Sequence, residues 1–230
     1  MKYQHIFFDL DRTLWDFETN SHETLLELCN RYKLNVLGVD DYEDFIRTYK
    51  VHNAKLWDLY RVDKISQKDL RRERFQRALA DYNIEDPILA EKIGEDYIDV
   101  CPRKNRLYPH AIEVLDYLTK RYELHIITNG FDKTQHIKLE HSNLKPYFNQ
   151  IITSEKTGVK KPNPLIFSHA LTLANAIKDE SVYIGDNLIV DILGCQNSGI
   201  DGVFFNSEGI VHNESPRFEV SCLSELKKIF

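Results

Sequence analysis

The sequence has little of what marks a secreted or membrane-bound protein. Its only four cysteines are far apart and form no CxxC pair: Cys29, Cys101, Cys195 and Cys222. Four are too few to cross-link 230 residues, so we expect reduced, packed thiols. No apolar run is long enough to span a bilayer, and Asp9 and Asp11 interrupt the first apolar segment, which argues against a signal peptide. These absences predict a cytoplasmic protein with no membrane partner.

An excess of positive charge is also absent. The chain has 30 Lys and Arg residues against 36 Asp and Glu residues, a formal net charge of -6. This charge gives no long-range attraction for a polyanion, so we expect no nucleic-acid partner. A small phosphate ester remains compatible with it, because one bound cation reverses the field locally. Hydrophobic residues make up 42% and charged residues 29%, an ordinary globular composition.

Short apolar runs bounded by Gly, Asn or polar residues recur along the chain, and helical patterns separate them. Such runs predict buried strands, here at residues 3–8, 124–128, 150–154, 182–184 and 203–205. The helical patterns cover residues 111–120, 132–141 and 164–174, and the last begins with proline. Alternating strands and helices predict an α/β fold with a doubly wound parallel sheet.

The segment between Phe17 and Cys101 has a different pattern of residues. It contains no strand-like run and few glycines, and its apolar residues recur at helical spacing. Asp86-Pro87 is a typical start for its last helix. We therefore predict an α/β core of residues 1–15 and 102–230 with an inserted all-helical domain of residues 16–101.

Two carboxylates stand two residues apart in Asp9-Leu10-Asp11-Arg12-Thr13, directly after the first predicted strand. Side chains alternate along a strand, so an extended backbone points Asp9 and Asp11 into the crevice where α/β enzymes bind ligands. Burying both carboxylates without a counter-ion is costly, and a divalent cation offsets their repulsion. A solvated turn also uses Asp and Thr, so this motif alone leaves both readings open.

A second acidic pair follows the predicted strand at residues 182–184. Gly185-Asp186-Asn187 comes directly after it, and Asp191 lies five residues beyond Asp186. Hard carboxylate oxygens suit Mg²⁺. By itself the segment is equally typical of a turn followed by a surface helix.

Two further segments have weaker signals. Thr128-Asn129-Gly130 ends a predicted strand with a hydroxyl and backbone amides that can hold phosphate oxygens. Lys161 precedes Pro162, and its ammonium can neutralise carboxylate and phosphate charge. An ordinary turn and a basic surface loop are the alternatives.

The motifs DxDxT, TNG, KP and GDNxxxD occur in this order and together resemble the haloacid dehalogenase superfamily over nearly the whole chain. The resemblance implies a Rossmann-like core with a helical cap and an Mg²⁺-dependent phosphatase. It assigns Asp9 as the nucleophile, Asp11 as the acid/base and Lys161 as the residue that steadies the phosphoryl group. It assigns Asp9, Asp186 and the backbone carbonyl of Asp11 to the metal. Three groups are assigned supporting or substrate contacts: Asp191, Asn187, and Thr128 with Asn129 and Gly130.

Residues near the first motif narrow the resemblance further. Arg12-Thr-Leu-Trp-Asp-Phe17 looks like the YjjG-type pyrimidine 5'-nucleotidases. This implies a small phosphorylated metabolite, a nucleoside monophosphate, as substrate. Trp15 or Phe17 is a candidate for stacking a base, with Trp57 or Tyr60 assisting, although each of these aromatic residues is more often part of a core. Asp11 favours phosphate chemistry, because dehalogenases need no leaving-group acid. A general small-metabolite phosphatase, a phosphomutase and a non-catalytic binding module remain alternatives.

Overall fold

The computed structural model describes residues 2–230. They form two compact units, one of residues 2–17 with 105–230 and the other of Glu18–Lys104. The domain limits predicted from the sequence, after residues 15 and 101, lie within three residues of these divisions. That the second unit acts as a cap stays a prediction.

A six-stranded parallel sheet forms the centre of the first unit, with strand order β3-β2-β1-β4-β5-β6. The chain fills one side of β1 first and then continues on the other side, so a topological switch point lies between β1 and β4. α/β proteins bind ligands at such a point, outside the carboxyl ends of the strands. The strands are β1 His5–Phe8, β2 Glu123–Thr128, β3 Gln150–Thr153, β4 Ser181–Gly185, β5 Asp201–Phe205 and β6 Phe218–Val220.

The central strands are apolar because both faces of the sheet are covered. All residues of β1 and β4 are buried, as expected for parallel strands between helices. In the register, Phe8 pairs with Ile126 of β2 and with Ile184 of β4. Residues that follow β1, β2 and β4 therefore emerge side by side at one edge of the sheet.

Six α-helices belong to this unit. Asn163 caps α8 by accepting the Leu165 amide, and Pro164 occupies its first turn. After β4, the chain turns through a π-helix, Leu188–Leu193, before α9. The helices are α5 Ala111–Leu118, α6 Asp132–His141, α7 Ser154–Thr157, α8 Pro164–Ala174, α9 Gly194–Gln196 and α10 Leu226–Ile229.

The second unit is helical, as the spacing of its apolar residues predicts. Side-chain caps begin three of its helices: Asp41 at α2, Ser66 with Asp69 in a capping box at α3, and Asp86 before Pro87 at α4. Its core contains an aromatic cluster in which Tyr49 packs on Phe75 at 4.6 Å between ring centroids. The helices are α1 Phe17–Arg31, α2 Tyr42–Arg61, α3 Gln67–Ala80 and α4 Pro87–Val100.

The predicted strands and helices agree closely with the structure, with one exception among the strands. α6 and α8 have the predicted bounds, and the five predicted strands are present within three residues at each end. The sequence did not indicate β6, a three-residue edge strand with an exposed glutamate at its centre. Among residues 2–230, no helix is both long and apolar enough to cross a bilayer.

Two histidines meet at the amino-terminal end of the sheet. His5 Nδ1 and His125 Nε2 are 3.2 Å apart, and the ring centroids are 5.4 Å apart. The separation of the two nitrogens is that of an N–H···N hydrogen bond. Burial and then the neighbouring His5 lower the pKa of His125 to about 4.

We predict that this buried ring makes the fold sensitive to acid. The pKa of His125 is about 4 in the folded protein and has an ordinary value of 6.5, so the unfolded chain binds more protons between these pH values. The free energy of unfolding should therefore fall by up to about 3 kcal/mol as the pH falls through this window. Urea unfolding at several pH values across this range gives the slope of the unfolding free energy against pH for the wild type and for His125→Leu. The slope should be smaller for the variant.

His169→Leu is the matched control for this measurement. His169 is exposed, so its replacement should leave the pH slope of the wild type unchanged. Identical slopes for the wild type and His125→Leu would contradict the prediction.

Candidate active site

Asp9 lies one residue beyond β1, at the switch point of the sheet. Its backbone amide donates to the Ile184 carbonyl of β4 at 2.9 Å, so it continues the strand pairing although the strand formally ends at Phe8. The residue is only 7% exposed. A carboxylate at this depth needs a charged or hydrogen-bonding partner.

Lys161 is that partner. Its side chain is buried, and its Nζ lies 2.6 Å from Asp9 Oδ1, 2.7 Å from Asp191 Oδ1 and 2.7 Å from the Tyr183 hydroxyl. An ammonium group has three N–H donors, and all three have an acceptor here. The Tyr183 hydroxyl in turn lies 3.1 Å from the Ile127 carbonyl. Lys161 is therefore held in one position by its whole hydrogen-bonding capacity.

The backbone of Lys161 is also fixed. Asn129, just after β2, accepts the Lys161 amide through Oδ1 at 2.8 Å and donates from Nδ2 to the Lys161 carbonyl at 2.9 Å. This pair of bonds ties the loop after β2 to the loop that carries Lys161. Because both ends of the Asn129 amide are engaged, its side chain positions Lys161; its predicted contact with substrate stays a prediction.

Asp186 and Asp191 approach Asp9 from β4 and the π-helix that follows it. Asn187 begins the π-helix by accepting the Ile189 and Val190 amides, and its own amide donates to Asp191 Oδ2 at 3.1 Å. The Thr13 hydroxyl donates to Asp186 at 3.3 Å. Gly185 is required here, because a Cβ at this position would lie 2.5 Å from Asp191 Oδ2.

Three carboxylates thus lie close together, and two of them, Asp9 and Asp191, contact the Lys161 ammonium. Asp9, Asp186 and Asp191 each present an oxygen within 4.8 Å of the others. Burial raises the pKa of Asp9, and the Lys161 charge only partly opposes this. Burial and then the Asp191 carboxylate raise the pKa of Asp186 to about 7. When all three are ionised, their charge exceeds that of the Lys161 ammonium by two, and this all-oxygen set fits a divalent hard cation.

Lys161 responds to the same charges. Burial lowers its pKa, but the nearby Asp191 and Asp9 carboxylates outweigh burial and raise it. Lys161 is therefore a permanent cation in this site. It can neutralise negative charge that collects beside Asp9.

Asp11 has a separate set of partners. Its Oδ1 lies 2.5 Å from Lys138 Nζ, and its Oδ2 accepts a hydrogen bond from Gln135 Nε2 at 3.1 Å. Both partners lie on α6 and are almost completely buried. The two carboxylates of the first motif therefore pair with different lysines, Asp9 with Lys161 and Asp11 with Lys138.

The loop after β2 is internally hydrogen-bonded. The Gly130 amide donates to the Thr128 hydroxyl at 3.0 Å, and this hydroxyl donates to Gln135 Oε1 at 3.4 Å. Gly130 also leaves room for Gln135, because a Cβ there would lie 2.0 Å from Nε2. The predicted phosphate contacts of Thr128 and Gly130 stay predictions.

The sequence did not indicate three residues that hold these groups: Tyr183, Gln135 and Lys138. Tyr183 is a polar side chain in an otherwise apolar buried strand, which is a signal for a buried hydrogen bond. Gln135 and Lys138 are three residues apart and share one face of a helix. For Gln135 and Lys138, the available sequence signal was the presence of polar residues on a helix face that is buried.

Of the four aromatic candidates for base stacking, Trp15 is a core residue, the alternative that its residue type favours. Trp15 is fully buried, and the Lys138 ammonium lies 4.3 Å from its ring centroid. The Phe17 ring is half-buried and has the Arg12 guanidinium at 5.1 Å. In the helical unit, Trp57 and Tyr60 pack against each other edge to face at 5.5 Å. Base stacking by Phe17, Trp57 or Tyr60 stays a prediction.

Comparison with known proteins identifies the family and several relatives of this chain. A family model described as haloacid dehalogenase-like hydrolase matches residues 6–205. The chain is 32% identical to the pyrimidine 5'-nucleotidase YjjG of Escherichia coli, covering 100% of this chain and 98% of that protein. It is 31% identical to the pyrimidine 5'-nucleotidase PynA of Streptococcus pneumoniae, covering 98% and 94%.

A solved structure is similar over the whole chain. The HAD-hydrolase YfnB of Bacillus subtilis, bound to magnesium, has a TM-score of 0.90 and 27% identity, with 100% of this chain and 99% of that chain covered. Its fold is the α/β fold with a helical insert described above. The resemblance predicted from the four motifs is confirmed.

We predict that Lys161→Met strongly destabilises the fold. The substitution keeps the apolar stem but leaves two buried carboxylates, Asp9 and Asp191, without their ammonium. Removing one partner of a buried ion pair costs about 3–5 kcal/mol. Urea unfolding in buffer with a chelator measures this, because the chelator keeps other cations from replacing the ammonium.

Lys160→Met is the control, since Lys160 is the adjacent lysine and only half-buried. It should cost less than about 1 kcal/mol, as surface substitutions do. A loss of that small size for Lys161→Met would show that the buried ion pairs contribute little.

Proposed function

The chain belongs to the haloacid dehalogenase-like hydrolases, and from that premise we propose that it is a magnesium-dependent phosphatase of nucleoside 5'-monophosphates. One observation carries the proposal: Asp9 is buried at the switch point against Lys161, within a three-carboxylate cluster, while Asp11 is held apart from that cluster by other residues. A nucleophile and a separate acid/base are the two groups that ester hydrolysis through a covalent intermediate needs.

The reaction has two displacements. Asp9 attacks phosphorus, the ester P–O bond breaks, and the leaving oxygen takes a proton from Asp11. Water then attacks the phosphorus of the aspartyl-phosphate, its proton goes to Asp11, and the bond to the Asp9 oxygen breaks. Asp11 returns to its protonated state, and the products are the alcohol and inorganic phosphate.

Lys161 stabilises both displacements. Its ammonium lies 2.6 Å from Asp9 Oδ1, so it orients the nucleophile and faces the charge of the transferred phosphoryl group. Phosphoryl transfer depends mainly on positioning and charge neutralisation. Asp191 and Tyr183 keep the ammonium in place.

Mg²⁺ fits the acidic cluster; Asp9, Asp186 and the backbone carbonyl of Asp11 would hold it. When bound, it neutralises phosphate and carboxylate charge. Asp191 and Asn187 support this site from outside, because Asp191 bonds to Lys161 and to the Asn187 amide.

The substrate class rests on similarity. The two pyrimidine 5'-nucleotidases match the chain almost end to end, which supports a nucleoside monophosphate. Asp11 supports phosphate chemistry over carbon–halogen cleavage, because a halide leaves without a proton. Sugar phosphates and phosphoglycolate are the second candidates, since other phosphatases of the group share the same chemical core.

Phosphate release across a substrate panel tests the proposal. The panel contains pyrimidine and purine nucleoside 5'-monophosphates, sugar phosphates and phosphoglycolate, each with Mg²⁺ and with a chelator. We expect the fastest release from pyrimidine 5'-monophosphates and none in the chelator. Preference for a sugar phosphate would overturn the nucleotidase assignment. Isomerisation without release would indicate a phosphomutase, and no turnover of any ester would indicate a binding module.

We predict that Asp9→Asn removes turnover and leaves the fold intact. The amide is nearly isosteric but is a poor nucleophile, so kcat should fall by roughly 10⁴-fold or more. Steady-state phosphate release with the best substrate measures kcat, and circular dichroism checks the fold. Asp179→Asn, at an exposed aspartate of the same unit, should keep wild-type kcat. Activity of Asp9→Asn within tenfold of the wild type would remove Asp9 from its role.

A further inference from the structure

Asp11 is held at both of its carboxylate oxygens. Oδ1 lies 2.5 Å from Lys138 Nζ, and Oδ2 accepts from Gln135 Nε2 at 3.1 Å. The two donors lie one helical turn apart on α6, so one rigid element holds both ends of the carboxylate.

The lysine is itself positioned. Its side chain is 5% exposed, and its ammonium stands over the buried Trp15 ring, 4.3 Å from the centroid. In the part of the chain that the structure describes, Asp11 is its one carboxylate partner. A buried ammonium with a single counter-ion fixes that counter-ion strongly, because releasing it leaves an unpaired buried charge.

The glutamine is oriented by its other end. Gln135 Oε1 accepts from the Thr128 hydroxyl at 3.4 Å while Nε2 donates to Asp11. Rotation of the amide by half a turn would lose both bonds. Gly130 leaves the space in which this amide lies.

We infer that Lys138 and Gln135 are positioning residues for the acid/base Asp11, a role that rests on the proposed phosphatase function. They hold the Asp11 carboxyl apart from the cluster of Asp9, Asp186 and Asp191, so that it faces the leaving oxygen and the attacking water. Without them the carboxyl is free to rotate, and proton transfer fails while nucleophilic attack by Asp9 continues.

The two chemical steps of the reaction distinguish a positioning role for Lys138 and Gln135 from a purely structural one. p-Nitrophenyl phosphate releases a stable phenolate that needs no proton, so its first displacement does not depend on Asp11, whereas hydrolysis of the aspartyl-phosphate still does. A nucleoside 5'-monophosphate releases an alkoxide, so both of its displacements need Asp11. Loss of Asp11 positioning therefore affects different steps with the two substrates.

Stopped-flow kinetics of Lys138→Met with both esters tests the inference. With p-nitrophenyl phosphate we expect a burst of about one nitrophenolate per enzyme at a rate within about threefold of the wild type, then turnover slowed about 10²-fold, the size of an acid/base contribution. With the nucleotide we expect no burst and a similar loss. The stoichiometric burst also establishes that the variant is folded.

Two further variants complete the kinetic test. Lys133→Met replaces an exposed lysine of the same helix and should match the wild type with both esters. Lys138→Arg keeps the cation and should recover most of the lost turnover. Equal loss of burst and turnover with p-nitrophenyl phosphate, or no loss at all, would overturn the positioning role.

A stability measurement supplies a readout that does not depend on activity. If Asp11 is the counter-ion of Lys138, then Asp11→Asn should destabilise the wild type in urea but add no further loss to Lys138→Met. Additive losses would contradict the inference. A wild type that hydrolyses neither ester would overturn the proposed function and the role with it, whereas an active wild type with unaffected Lys138→Met would overturn the role alone.

Discussion

One buried ammonium group joins the separate parts of the site. Lys161 gives its three N–H donors to oxygens from three segments: Asp9 after β1, Tyr183 within β4, and Asp191 in the π-helix after β4. Its backbone is held by Asn129 after β2. Burying an ammonium group is costly unless it is paired and hydrogen-bonded. Each of these segments must therefore reach the same point for the site to exist.

The sequence predicted the segments of the site but not all of its contacts. Asp9, Asp186 and Lys161 follow strands or precede proline, and the parallel sheet brings strand ends together, so topology alone predicts their convergence. Tyr183, Gln135 and Lys138 were not predicted, because the direction of a buried polar side chain depends on tertiary packing. For Trp15 the sequence left both a core and a base-stacking position open, because an aromatic residue beside the first motif does not reveal whether its face is covered.

The fold was predictable to a similar degree. Helix α8 begins with Asn163-Pro164 and ends where predicted, because its cap and proline are local signals. The edge strand β6 has only three residues, too few for their alternation to identify a strand. The first motif has positions that local sequence predicts and contacts that it does not. Its two aspartates are close in sequence, yet one pairs with Lys161 and the other with Lys138.

The position of β1 in the middle of the sheet has a consequence for synthesis of the protein. The helical unit, Glu18–Lys104, is one continuous segment, whereas β1 must pair with β4, which begins at Ser181. Translation adds roughly 5–20 residues per second from the amino terminus. The helical unit is thus complete on the ribosome before β4 has been made. Until then β1 has an unpaired hydrophobic edge, so the strand that leads to Asp9 is open to aggregation while the chain is being made.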